Sequence, residues 1–130
     1  PLLVEHIRKS YDDKEVLKGI SLSLMPGEIF GLIGLNGAGK TTLIKILLNL
    51  IEADEGKAML FGTTVDQIAA RRRLSYLPEK FQPSRYLKGY EYLDLALSYY
   101  GRKLDKHVAR EYAEALDLDP AVLSQRVGSY

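Results

Sequence analysis

The sequence predicts an α/β fold: a P-loop NTPase core of strand, phosphate loop and helix, with an N-terminal antiparallel β portion and a partial helical subdomain. Three observations carry this. The stretch Gly34-Leu35-Asn36-Gly37-Ala38-Gly39-Lys40-Thr41-Thr42 fits the pattern GxxxxGK[ST], between the apolar run Ile29 to Ile33 and apolar residues at helical spacing. Upstream, from Leu2 to Leu24, two segments read as strands, and from Lys88 onward the periodicity is helical only.

Leu2 to Arg8 and Glu15 to Leu24 form a hairpin, the second strand clearest where Ile20, Leu22 and Leu24 alternate with Ser21 and Ser23. Its turn material is Asp12-Asp13-Lys14. Met25-Pro26-Gly27-Glu28 places Pro and Gly where a type II turn takes them. Ile29 to Ile33, apolar on both sides, has the pattern of a strand in the middle of a sheet covered by helices on both faces. Leu43, Ile46, Leu47 and Leu50 are the buried stripe of a helix starting near Lys40. Ala53 to Gly56 is a turn, Lys57 to Phe61 a short strand, and Gly62-Thr63 another turn, while Asp66 stands where it could cap a brief helix from Gln67 to Arg72. Leu74 to Leu77 reads as a strand closed by Pro78, followed by a polar loop from Glu79 to Tyr86. Tyr92, Leu93, Ala96, Leu97 and Tyr100 make one helical stripe ended by Gly101, and Val108, Tyr112, Ala115 and Leu116 the next. Asp119-Pro120 opens a last short helix. The expected division is a core over 1–87 and a partial helical subdomain over 88–130.

The 130 residues, 46% hydrophobic, supply one domain's worth of core. Eighteen Lys and Arg against 17 Asp and Glu leave a formal charge of +1, so no strong field points to nucleic acid or anionic lipid, and no nucleic-acid partner is expected. With no cysteine, disulfides, thiol catalysis and cysteine-ligated metals are excluded, and any metal must be oxygen-bound. The longest apolar run, Leu43 to Ile51, is short and interrupted by Lys45 and Asn49, which does not suit a bilayer span. The first residue is Pro1 rather than Met, without the progression of a secretory signal; the expectation is a soluble, processed or excised piece.

The glycine loop carries the chemistry. Its glycines allow backbone conformations that let successive N–H groups turn around a phosphate. Lys40 reaches the outer phosphates, Thr41 places a hydroxyl on a bridging Mg²⁺, and the helix directs the positive end of its dipole at the anion. A glycine-rich turn without a ligand needs neither Lys-Thr nor a strand-to-helix transition at fixed offsets. Micromolar affinity nevertheless requires about 8 kcal/mol, and a helix end supplies at most about 2 kcal/mol, so contacts to the base are expected as well. On residues alone, Tyr11 is either a base-stacking platform or an ordinary hairpin tyrosine.

Ser10-Tyr11 followed by Val16-Leu17-Lys18-Gly19-Ile20-Ser21-Leu22, and the whole run Met25 to Leu43, resemble the nucleotide-binding domain of ATP-binding cassette (ABC) transporters. The resemblance implies that Tyr11 stacks on adenine with Val16 beside the nucleotide, and that Asn36, Gly37, Ala38, Gly39, Lys40, Thr41 and Thr42 hold the phosphates of ATP. It makes Lys40 catalytic. Tyr76-Leu77-Pro78-Glu79 falls where the family carries a loop, usually with glutamine, that contacts the metal and the attacking water; Glu79 stands there as catalytic and metal-contacting residue, with Gln82 the alternative. Tyr86 and Tyr90 are expected in the groove that receives a helix of the transmembrane subunit. Arg71-Arg72-Arg73 reads as a solvated helix end, and His6 and His107 as isolated structural or exposed residues.

The implied protein is the ATP-hydrolysing subunit of a transporter, cytoplasmic and peripheral on the inner face of the cell membrane, with transmembrane subunits and a second nucleotide-binding domain as partners and ATP and Mg²⁺ as cofactors. The alternatives are a soluble ABC-type ATPase acting on DNA or ribosomes, or a nucleotide-binding module without catalysis. The resemblance covers the whole chain but only the first part of the family's domain, ending at Arg126-Val127-Gly128-Ser129-Tyr130, where the family resumes with its serine-glycine signature motif and an Asp-Glu pair. Weak or no hydrolysis is therefore expected of these residues alone.

Overall fold

A computed structural model describes residues 2–130. The chain forms two compact units, Pro1–Ser75 and Tyr76–Tyr130; the division read from the sequence lies later, after residue 87.

In the first unit, β1 (Leu2–Tyr11) and β2 (Lys14–Leu24) make the expected hairpin around a turn at Asp12-Asp13, where Asp12 has φ 50°. β3 (Glu55–Leu60) pairs antiparallel with the other edge of β1, and β4 (Thr63–Thr64) closes a four-stranded sheet in the order β2-β1-β3-β4. Phe61 and Gly62 join β3 to β4 with φ of 53° and 80°, the positive pair that a tight type I′ hairpin turn requires. Between β2 and the phosphate loop, Gly27 has φ 84° and Glu28 N–H donates to Met25 O at 3.3 Å, as a type II turn requires.

Helix α1 (Lys40–Leu47) packs Leu43 and Ile46 on this sheet, whereas Leu50, the last member of the predicted stripe, lies beyond the helix and is exposed. Leu43 and Ile46 join Val4, Ile7, Leu17 and Ala58 in one buried cluster, flanked by Leu22, Leu47 and Ile51 among others. Helix α2 (Ile68–Arg71) is shorter than the sequence suggests. Its N-cap is Gln67, without a side-chain bond, so Asp66 does not cap it.

Two predicted strands are not strands. Ile29 to Ile33 and Leu74 to Leu77 carry neither helix nor strand, and Ile29 and Ile33 are almost wholly exposed. An apolar run becomes a strand only by lateral pairing. The hydrogen bonds of β1 are already shared between β2 and β3, and no strand among the described residues pairs with either run. The α/β composition holds, but the sheet is antiparallel.

In the second unit, α3 (Gly89–Ser98) is entered through Lys88, whose N–H donates to the Glu91 carboxylate at 2.8 Å. The helix stops before Tyr100, the last member of the predicted stripe. Gly89 is buried against Leu123 and Tyr130, and the segment before α3 is pinned to the C-terminal residues by Val127 N–H on Leu87 O (2.9 Å) and Gly128 N–H on Arg85 O (3.1 Å). A short 3-10 helix, Pro120–Ser124, begins where expected, with the Asp119 carboxylate accepting from Ala121 N–H.

Helix α4 (Lys106–Ala115) buries the face next to the one predicted. Ala109 and Ala113 are inside, whereas Val108, Tyr112 and Leu116 are exposed. Asp105 caps it, accepting from His107 N–H at 2.8 Å and Val108 N–H at 3.4 Å. Asp105→Ala is expected to cost about 1 kcal/mol, read as a lower midpoint of denaturant unfolding with unchanged m value.

Candidate nucleotide site

The phosphate loop is built where β2 meets the start of α1. Gly37 and Gly39 have φ of 81° and 87°, in the left-handed region. Gly39 is also a close approach: a Cβ there would lie 2.7 Å from Leu17 Cδ2 and 3.0 Å from Val16 O. Only glycine lets the loop rest on β2 while α1 begins at the next residue. Ala38 N–H donates to Leu35 O at 3.2 Å, and Leu43 N–H to Gly39 O at 2.9 Å opens the helical ladder.

Lys40 is the first residue of α1, and its ammonium crosses the loop to donate to Gly34 O at 2.6 Å and Leu35 O at 2.8 Å. The first turn of α1 contains no acidic residue and its N-cap has no side-chain hydrogen bond. Its leading N–H groups therefore lack an intrahelical acceptor, and the positive end of its dipole is not offset locally. Thr41 is exposed and Thr42 half-buried. The arrangement presents backbone donors, a movable ammonium and a hydroxyl to an anion. Exchanging two carbonyl acceptors for phosphate oxygens gives the lysine stronger, charge-assisted bonds.

Val16, expected beside the nucleotide, lies against Gly39 through its carbonyl and its Cγ1. Tyr11 ends β1 opposite Lys14, at the loop end of the same hairpin, and is 44% exposed, so part of its ring is open. Asn36 and Gly37 form the exposed turn of the loop. Glu79 and Gln82 belong to the second unit, and both are exposed. Of the two tyrosines expected to meet a partner, Tyr86 is exposed, while Tyr90 is half-buried with the Lys106 ammonium 5.4 Å from its ring centroid.

Sequence reading missed the residues that support Tyr11. Asp54, just before β3, accepts from Lys9 Nζ at 2.5 Å and from Ser10 N–H at 2.6 Å, and its own N–H donates to Arg8 O at 2.9 Å. The Lys9 bond, then the Ser10 bond, hold its carboxyl below the ordinary carboxylate range. A depressed folded pKa means that the bridge contributes fully above the carboxylate's ordinary value and is lost as pH falls through the lower folded one. Asp54 is thus ionised at neutral pH. Its only signal in the sequence was membership of a turn.

The family model described as ABC transporter matches residues 17–127. An uncharacterized ABC transporter ATP-binding protein of Nostoc sp. strain PCC 7120 is 48% identical over 80 residues, which are 62% of this chain and 24% of that protein. A solved ATP-binding subunit of an ABC transporter superposes with a TM-score of 0.85 at 29% identity, over 99% of this chain and 55% of that one. The cassette MJ0796, solved as a dimer in a post-hydrolysis state with ADP and Pi, shares the fold with a TM-score of 0.78 at 18% identity, over the whole of this chain and 63% of its own. This chain therefore spans about a quarter of the Nostoc relative and somewhat over half of the solved cassettes. The loop geometry, the order of β2, loop and α1, and a family match running from Leu17 to Val127 agree: this chain belongs to the ABC transporter family.

Proposed function

We propose that the chain carries the nucleotide-gripping part of an ATP-hydrolysing ABC transporter subunit. The observation that carries this reading is Lys40 at the first position of α1, its ammonium over the loop and its helix N-terminus free of acidic residues. Asn36 to Thr42 hold the phosphates, Tyr11 stacks on adenine, and Val16 lines the nucleotide's approach. The donor set fits a triphosphate, because the loop and the start of α1 offer backbone N–H groups, an ammonium and hydroxyls.

Mg²⁺ fits as a companion of the phosphates. Among the described residues no group of three or more His, Cys, Asp or Glu could hold a metal by itself. One or two protein oxygens plus phosphate oxygens is a usual set for this ion; Thr41 would supply a hydroxyl oxygen at the loop, and Glu79 is the further ligand that the resemblance implies. In hydrolysis, water attacks the γ-phosphorus and ADP leaves as the bond to its bridging oxygen breaks. Lys40 neutralises charge on the transferring group, and Glu79 orients the water. A second nucleotide-binding domain closes the site, and transmembrane subunits hold the protein at the inner face of the membrane. No helix of the described residues is long and apolar enough to cross a membrane.

Calorimetric titration of the full-length protein with Mg²⁺ and ATP, GTP or inorganic tripolyphosphate tests the reading. Micromolar ATP binding, stronger than tripolyphosphate and with no strong preference for GTP, is expected, because an aromatic platform accepts most bases. Equal affinity for ATP and tripolyphosphate overturns the platform, and a strong preference for guanine overturns the family-type site.

A further inference from the structure

The β1–β3 ladder ends at Arg8 opposite Glu55, three residues short of Tyr11. From there Asp54 continues the hold that a strand would have given. Its backbone N–H bonds Arg8 O, one carboxylate oxygen takes Lys9 Nζ, and the other takes Ser10 N–H. The bond to Ser10 falls at a register shift between Lys9 and Ser10 in the β1–β2 pairing. Lys9, only 17% exposed along its side chain, lies with its ammonium 5.9 Å from the centroid of the Tyr11 ring. One residue from before β3 thus grips the three residues that precede Tyr11, and through Lys9 sets a cation over the ring.

We infer that Asp54 is a positioning residue for the nucleotide base: it fixes Lys9 over one part of the Tyr11 ring and locks the end of β1, leaving the ring pre-set to receive a nucleobase. This rests on the reading of Tyr11 as the base platform. An exposed tyrosine ordered only on binding loses rotamer freedom at that moment, and one already held does not. The ammonium on the ring is a cation–π contact that Asp54 keeps in place by pairing the same nitrogen. Without Asp54, Lys9 is free to leave and Ser10 N–H loses its acceptor.

The test compares ATP with tripolyphosphate, which lacks a base, on the full-length protein carrying Asp54→Asn, Lys9→Met, Lys9→Arg or Tyr11→Ala, each checked to be folded at the assay temperature by a cooperative melting transition above it. Asp54→Asn and Lys9→Met are expected to weaken ATP binding roughly threefold to tenfold while tripolyphosphate binding stays within about twofold. Lys9→Arg, which keeps the pair and the cation, retains ATP affinity. Asp54→Asn added to Tyr11→Ala causes no further loss. Equal loss of both ligands in Asp54→Asn, or no loss of ATP, overturns the inference while a base effect of Tyr11→Ala leaves the platform standing. If Tyr11→Ala does not narrow the gap between ATP and tripolyphosphate, the platform reading fails and takes the inference with it.

Discussion

Replacing Lys40 by Ala is expected to lower the ATPase rate of the full-length protein by about a hundredfold or more and to weaken nucleotide binding at least tenfold. Removing one well-placed donor from a charge-stabilising site costs about 3–4 kcal/mol in the transition state. Lys40 has no understudy at the loop mouth, since α1 offers no other cation in its first turn and Lys45 lies in its last. The fold should be little affected. The ammonium's two acceptors are carbonyls of an exposed loop, and solvent can replace such bonds at a cost of about 1 kcal/mol. A near-normal melting temperature with lost turnover therefore separates the site from the scaffold. Lys40→Arg is not a rescue, because the guanidinium is a wide planar fork and the loop was built around a compact point charge. Turnover that survives Lys40→Ala unchanged would refute the proposed role of the loop.

Gly56→Ala should have the largest effect on stability, about 3 kcal/mol or more, measured by denaturant unfolding. Gly56 is the second residue of β3 and has φ 87°. A Cβ there would lie 2.5 Å from both Glu5 O and His6 O, and neither backbone oxygen can swing aside as a side chain would. This close approach accompanies an irregularity in β1. His6 has φ 50°, its N–H donates to Ser21 Oγ at 2.9 Å, and the pairing of β1 with both neighbours shifts register around it. Gly62→Ala is the control. Gly62 also has positive φ, at 80°, but nothing lies within 4 Å of its missing Cβ, so it should show only the backbone penalty of about 1–2 kcal/mol. If both substitutions cost the same, the close packing at Gly56 contributes nothing.

The parts legible in the sequence were those whose physics is local. The hairpin and the turn at Pro26-Gly27 depend on residues close in the chain, and so does the stripe of Leu43 and Ile46. The phosphate loop is local too, since its donors are backbone groups whose directions are set by the glycines between Gly34 and Gly39. Asp54 was not legible as a support for Tyr11. The pairing of Asp54 with Lys9 and Ser10 bridges residues far apart in the chain, and any exposed carboxylate in a turn looks the same.

Helix α4 shows the limit of periodicity. The spacing of Val108, Tyr112 and Leu116 does define one face, but Ala109 and Ala113 define the neighbouring one, and burial goes to the alanines. Small residues let backbones approach closely, so the face that fits the contact can prevail over the face with more apolar area.

By itself the sequence determined the local devices of this protein: a glycine-rich loop, the helix that continues it, and the turns that deliver the chain to both. Tertiary structure alone decided which apolar runs became strands and which helical face was buried. It also decided what holds the end of β1 beneath Tyr11. Conformational preference is a property of neighbouring residues, whereas pairing and packing are properties of partners. The run Ile29 to Ile33 has the apolar pattern of a strand and, among the described residues, no strand beside it.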